Sequence, residues 1–219
     1  IRPWIVALSN RRMDMQVERE VAKFLDENLY SKEIFTKHER TDTKDLQLKG
    51  SDIIISAPSL GIVDGICDEK AASAYWHMER SIKTFSLEVS SFQHGKLRDG
   101  WIINDSLDTT HYLFCWLSAT KRWFGKDDIK WLEYALVRKA DLIEYLESEG
   151  LTKEHIIKNR DWILKNVHEK GAVGKNKHKD FYFYYSPQFV ERPVNIIVKK
   201  DVYLNLSLLH GEIYNEKAK

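Results

Sequence analysis

The chain predicts a mixed α/β domain, and three features of the sequence carry that expectation. Apolar residues recur at helical spacing near the N-terminus, β-branched runs bounded by turn residues follow, and further helical and strand-like stretches alternate through the second half. With 219 residues, 43% of them hydrophobic and 31% charged, one sizeable core is expected. No internal repeat or low-complexity stretch divides the chain, so residues 1–219 are read as a single domain.

In order, the short apolar run Trp4–Leu8 precedes a helix over Met13–Leu29, where Val17, Val21, Phe24, Leu25 and Leu29 form the apolar stripe. Asp14 and Glu18 fall on or near that stripe, and a buried acid needs a partner. Ile34–Thr41 predicts a first strand, and Asp42–Asp45 its turn. Leu46–Leu48 then leads into a second strand at Asp52–Ser56. Ala57–Gly61 supplies turn chemistry before a third strand at Ile62–Lys70. Ala71–Trp76 reads as a short helix and Thr84–Phe92 as a fourth strand. The expected order is therefore helix, three strands, short helix, strand.

Beyond this point, Gln93–Gly100 is a turn-rich loop followed by Trp101–Asp105, together a hairpin. Tyr112–Leu117 is an apolar strand or short helix, Thr120–Lys126 a basic and aromatic loop, and Trp131–Val137 a strand. Helices are expected at Leu142–Leu146, closed by Gly150, and from Thr152 past Val167. A lysine-rich loop, Lys170–Lys179, precedes strands at Phe181–Tyr185, Val194–Val198 and Val202–Leu206.

The chemistry concentrates in the second and third strands. Side chains alternate along a strand, so Asp68 and Lys70 share one face and Glu69 takes the other. With Asp52 on the neighbouring strand, two carboxylates and a lysine converge. Such acids suit Mg²⁺, which prefers oxygen ligands and keeps several waters. A lysine beside them can orient a water or take its proton. The alternative is that Asp68 caps the following helix while Asp52 sits in a turn.

This acid, then acid-x-Lys arrangement resembles the PD-(D/E)XK nuclease superfamily, which includes many type II restriction endonucleases. The matching positions are Asp52, Asp68 and Lys70, with Ser51 where the superfamily's pattern has Pro. The resemblance covers about residues 13–92, and residues 93–219 are an elaboration. It implies a restriction-endonuclease-like αβββαβ core, with a mixed central sheet flanked by helices and additional C-terminal strands and helices. It also implies Mg²⁺-dependent hydrolysis of DNA phosphodiesters. Asp52 and Asp68 would ligate the metal with the main-chain carbonyl of Glu69, and Lys70 would orient or deprotonate the nucleophile. Glu18 and Glu88 are auxiliary acids, the first on the helix and the second in the middle of the fourth strand.

Formal net charge is only +1, so DNA contact would rest on local clusters. Lys96 and Arg98 in one loop, Lys121 and Arg122 in another, and Lys175, Lys177 and Lys179 in a third are the candidates. A homodimer is expected for cutting both strands. Cys67 and Cys115 lie in apolar runs without metal-ligand spacing, as buried thiols in a reducing, cytoplasmic setting would. No apolar run is long enough to span a bilayer. Phosphate-loop, dinucleotide, hydrolase-elbow and zinc signatures are all absent. Two alternatives stay open: a structure-selective or repair nuclease, and a non-catalytic nucleic-acid or protein interaction module that keeps the fold.

Overall fold

The computed structural model describes residues 11–41, 43, 46, 49–174, 178–216 and 218. The Trp4–Leu8 run and most of the turn expected at 42–48 lie outside them, as do Lys175 and Lys177. Within the described residues the chain is a mixed α/β structure of two sheets and four α-helices.

The first helix, α1 (Arg11–Leu25), follows the apolar stripe and runs on as a π-helical turn at Asp26–Tyr30. Val17, Val21, Phe24, Leu25 and Leu29 are all buried. Each such side chain contributes about 1.5–3 kcal/mol by leaving water. They pack on one face of the first sheet, against Ile53, Ile55, Cys67, Leu113, Cys115 and Leu117.

That sheet contains β1 (Lys37–Arg40), β2 (Ile53–Ala57), β3 (Ile62–Ala71), β6 (His111–Ala119), β7 (Ile129–Arg138) and β11 (Ser207–Tyr214), in that spatial order. The second sheet has the order β5 (Lys96–Asp99), β4 (Thr84–Gln93), β10 (Val194–Lys199), β9 (Phe181–Tyr185) and β8 (Gly171–Val173). Only β3 and β6 pair in parallel. All nine residues of β6 are buried, because α1 covers one face and the second sheet covers the other. Helices α2 (Lys139–Ser148), α3 (Lys153–Asn166) and α4 (Lys200–Leu206) add Leu142, Leu146, Ile156, Ile163, Val202 and Tyr203 to the core between the sheets.

Several elements differ from the sequence-based expectation. The fourth strand, expected in one central sheet with the first three, belongs to a second sheet. The place beside β3 is taken by β6, and the crossover carries the β4–β5 hairpin in place of a helix. Ala71–Trp76 forms no α-helix: the N–H of Ala72 donates to Cys115 O at 2.8 Å, continuing the ladder, and only a 3-10 turn at Ser73–Tyr75 follows. Trp101–Asp105 is turn, whereas a strand occupies Lys96–Asp99 within the expected loop. Val202–Leu206 alternates like a strand yet folds as α4, since a helix turns the adjacent Val202 and Tyr203 into the core together. The strand lies just after it.

Candidate active site

The β2–β3 register places Ile53 opposite Cys67. One step further along the ladder, the N–H of Asp52 donates to Cys67 O at 3.0 Å, which brings Asp52 beside Asp68. The face carrying Cys67, Ile53 and Ile55 lies against α1, so alternation turns Asp52, Asp68 and Lys70 toward the second sheet. The expected site residues Asp52, Asp68 and Lys70 thus fall together.

Asp68 is 3% exposed. Its Oδ1 lies 2.6 Å from the Lys70 ammonium, and its carboxyl is within hydrogen-bonding reach of Asp52. Burial pushes the Asp68 carboxyl up, Lys70 pulls it down and Asp52 pushes it up again, leaving it at about 7. Burial works to lower the Lys70 ammonium, but Asp68, Asp52 and Glu18 outweigh it and hold the pKa above the ordinary lysine value. The Trp101 ring centroid is 5.4 Å from Lys70 Nζ, a cation–π contact that walls the lysine in.

Glu69 points through the sheet to the other side. Its carboxylate accepts from Tyr30 Oη at 2.8 Å and from the Arg40 guanidinium at 2.6 Å. Arg40 also bonds Asp26, at 2.7 Å and 3.0 Å, and the Ala22 carbonyl at 2.9 Å. Burial pushes the Glu69 carboxyl up and Arg40 opposes it without cancelling it. The Glu69 N–H donates to Asp52 Oδ2 at 2.8 Å, so this clamp is tied to the carboxylate pair through one peptide unit. Sequence reasoning did not single out Tyr30, Arg40 or Trp101. Arg40 was legible only as a charge in a strand, because its partners Ala22, Asp26 and Glu69 lie 14 to 29 residues away in sequence.

A cavity of about 830 Å³ opens over these groups. It is lined by Asp52, Asp68 and Lys70 from one face of the sheet and by Glu69 and Arg40 from the other. One wall is α1, where Met15, Glu18, Arg19, Ala22 and Lys23 recur at helical spacing, continued by Asp26 in the π-helical turn; Phe85, Ser86 and Trp101 stand among the remaining lining groups. Glu18 is solvent-exposed on that wall instead of buried on the stripe, and its charge acts on Lys70. Glu88 belongs to the opposite sheet. It accepts from Ser91 Oγ at 3.2 Å, feels Lys70 electrostatically, and burial pushes its carboxyl up.

The DNA-contact candidates among the described residues are not part of this cavity's lining. Lys96 and Arg98 are exposed on β5, at the edge of the second sheet. Lys121 pairs with Asp128 at 2.9 Å, Arg122 covers the Trp123 ring at 4.8 Å, and Lys179 is an exposed neighbour of Asp180. The cations lining the cavity are Arg19, Lys23, Arg40 and Lys70. Of these, Lys23 pairs with Glu20 at 2.6 Å.

Among the described residues no group of three His, Cys, Asp or Glu side chains converges. The donor set still fits Mg²⁺: two carboxyls lie side by side with one proton held unusually tightly, and a cation between them would relieve the repulsion that Asp52 imposes on Asp68. Also among the described residues, no helix is long and apolar enough to cross a membrane. No family model matches the chain, and comparisons with curated proteins and with solved structures give no match.

Proposed function

We propose that the chain is a metal-dependent endonuclease of the PD-(D/E)XK type, hydrolysing DNA phosphodiesters as type II restriction endonucleases do. The observation that carries the reading is the adjacent Asp52 and Asp68 pair, with Lys70 at 2.6 Å from Asp68, on the floor of an open cleft. Asp52 and Asp68, with the Glu69 main-chain carbonyl, would hold Mg²⁺. When bound, that ion supplies neutralisation of phosphate charge and a more acidic water.

The remaining roles belong to the chain. Lys70, held as an ammonium by its acidic neighbours, donates to a phosphate oxygen or orients the attacking water. Trp101 restricts where Lys70 can swing. Arg19, on the α1 wall, offers a guanidinium to the nucleic-acid backbone entering the cleft. Glu18, on the cleft wall, and Glu88, behind it on the second sheet, both bias the field at Lys70.

A second reading, a binding module that keeps the fold, is favoured by the lack of a third convergent ligand side chain among the described residues. Incubation of mixed-sequence plasmid DNA with Mg²⁺ or with EDTA, beside Asp68→Ala and Lys70→Ala, separates the two. Metal-dependent fragments reduced about 100-fold or more in both variants support the nuclease. Discrete fragments indicate sequence specificity, and a smear indicates a less selective nuclease. Inert wild type and variants that all remain folded favour the binding module.

A further inference from the structure

The four sheet edges are not alike. β1 is four residues long and reads Lys-His-Glu-Arg, β5 is four and reads Lys-Leu-Arg-Asp, and β8 is only three. Short length and charge are the ordinary ways a protein keeps an edge strand from pairing with another chain. β11 is the least protected, being the longest and carrying a single formal charge, Glu212. It runs eight residues, Ser-Leu-Leu-His-Gly-Glu-Ile-Tyr, with no Lys, Arg or Pro, and among the described residues it ends the first sheet with β7 on one side only.

We propose that β11 is a self-association edge whose occupant is β11 of a second copy of this chain, paired antiparallel about Gly211. The sequence is self-complementary in that register. A two-fold axis at Gly211 sets His210 opposite Glu212 of the partner subunit, and Leu209 opposite Ile213 of the partner subunit. Directly opposed side chains on one face interact most strongly in an antiparallel pair. Beyond the bulge near Ser207, alternation places Leu209, Gly211 and Ile213 on the α1 side of the sheet and His210, Glu212 and Tyr214 on the other. The His210 imidazole therefore meets the Glu212 carboxylate, which can accept its N–H, and apolar meets apolar.

The polar groups have capacity to spare. His210 uses Nδ1 on Ser207 Oγ, at 2.9 Å, which leaves Nε2 facing outward bonds. Glu212 accepts from the Tyr214 hydroxyl through one carboxylate oxygen, which leaves the other. Tyr214 is 67% exposed, among the most exposed large apolar side chains, and joining the edges covers it. A single strand pair buries less than the area typical of permanent dimers, so the association is concentration-dependent.

Sedimentation velocity with the full chain tests this without reference to catalysis. Wild type is expected to shift toward twice the 25.8 kDa chain mass as concentration rises to about 100 µM. His210→Glu sets two carboxylates against each other and is expected to weaken the dimer about tenfold or more. Combining His210→Glu with Glu212→His restores opposite partners in the same register and is expected to recover association. A wild type that stays monomeric over that range overturns the proposal. So does a dimer indifferent to His210→Glu, which would place the contact on another surface.

Discussion

The Lys70 ammonium stands 2.6 Å from Asp68 Oδ1, and the two side chains rise from the same face of one strand, two residues apart. On an exposed strand such a pair would contribute little, since water and salt screen it. Here Asp68 is almost wholly buried, so its charge depends on the lysine and is opposed by Asp52. The site therefore carries a stability cost that a non-ionisable side chain would not.

That cost fixes a pH dependence. The Asp68 carboxyl is held at about 7, against roughly 3.9 in an unfolded chain. The folded state thus binds more protons than the unfolded state between those values. Its contribution is fully present below about pH 4 and is lost as pH rises toward 7. Asp68→Asn removes this slope. Chemical denaturation in EDTA at pH 4.5 and pH 7.5 is expected to show the variant gaining about 2–4 kcal/mol relative to wild type at the higher pH.

Arg40 and Tyr30 form the structural anchor behind the site. Arg40→Ala leaves the Glu69 carboxylate buried without its cation and is expected to cost about 3 kcal/mol in urea denaturation. Tyr30→Phe deletes one hydrogen bond to the same carboxylate and is expected to cost about 1–2 kcal/mol. Because the Glu69 N–H holds Asp52, the milder Tyr30→Phe is also expected to raise the metal concentration needed for half-maximal cleavage.

Local pattern made α1, β2, β3 and β7 legible, because the apolar pattern of each matches its burial, whereas the all-apolar Tyr112–Leu117 left strand and short helix open until its partners β3 and β7 were seen. Asp52, Asp68 and Lys70 were legible for a related reason: period two on β3 and a turn of known length bring them together whatever surrounds the hairpin. The assignment of β4 to a second sheet was not legible, since alternation says which face is buried and nothing about which strand lies alongside. The 71–76 stretch misled because alanine favours helix intrinsically, whereas the backbone of Ala72 is claimed by β6. The cleft cation Arg19 was overlooked for loop lysines because charge density along the chain is visible in a sequence and charge density in space is not.

Cys67 and Cys115 provide a check on the core beneath the site. Both thiols are buried, and burial pushes both well above the ordinary thiol range, with neighbouring Glu69 adding to each. A thiol-reactive chromophore is expected to label neither in the native protein and both of the chain's two cysteines in denaturant. Rapid labelling of Cys67 under native conditions would mean that the β2–β3 hairpin, and the carboxylate pair with it, opens readily.

Gly100 tests how tightly the two sheets are set around Lys70. A Cβ added there would lie 2.2 Å from the Glu88 carbonyl oxygen, a backbone atom that no rotamer change can move aside. Its N–H also donates to Val89 O at 2.7 Å, so the loop cannot simply back away. Gly100→Ala is expected to cost about 2–3 kcal/mol by thermal denaturation. The next residue is Trp101, whose ring covers Lys70, so relief of the clash displaces the indole from the ammonium. Cleavage by Gly100→Ala is then expected to fall even at temperatures where the variant is fully folded, with the loss in kcat rather than KM. Unaltered activity in a folded variant would show that the position of Trp101 is immaterial to Lys70.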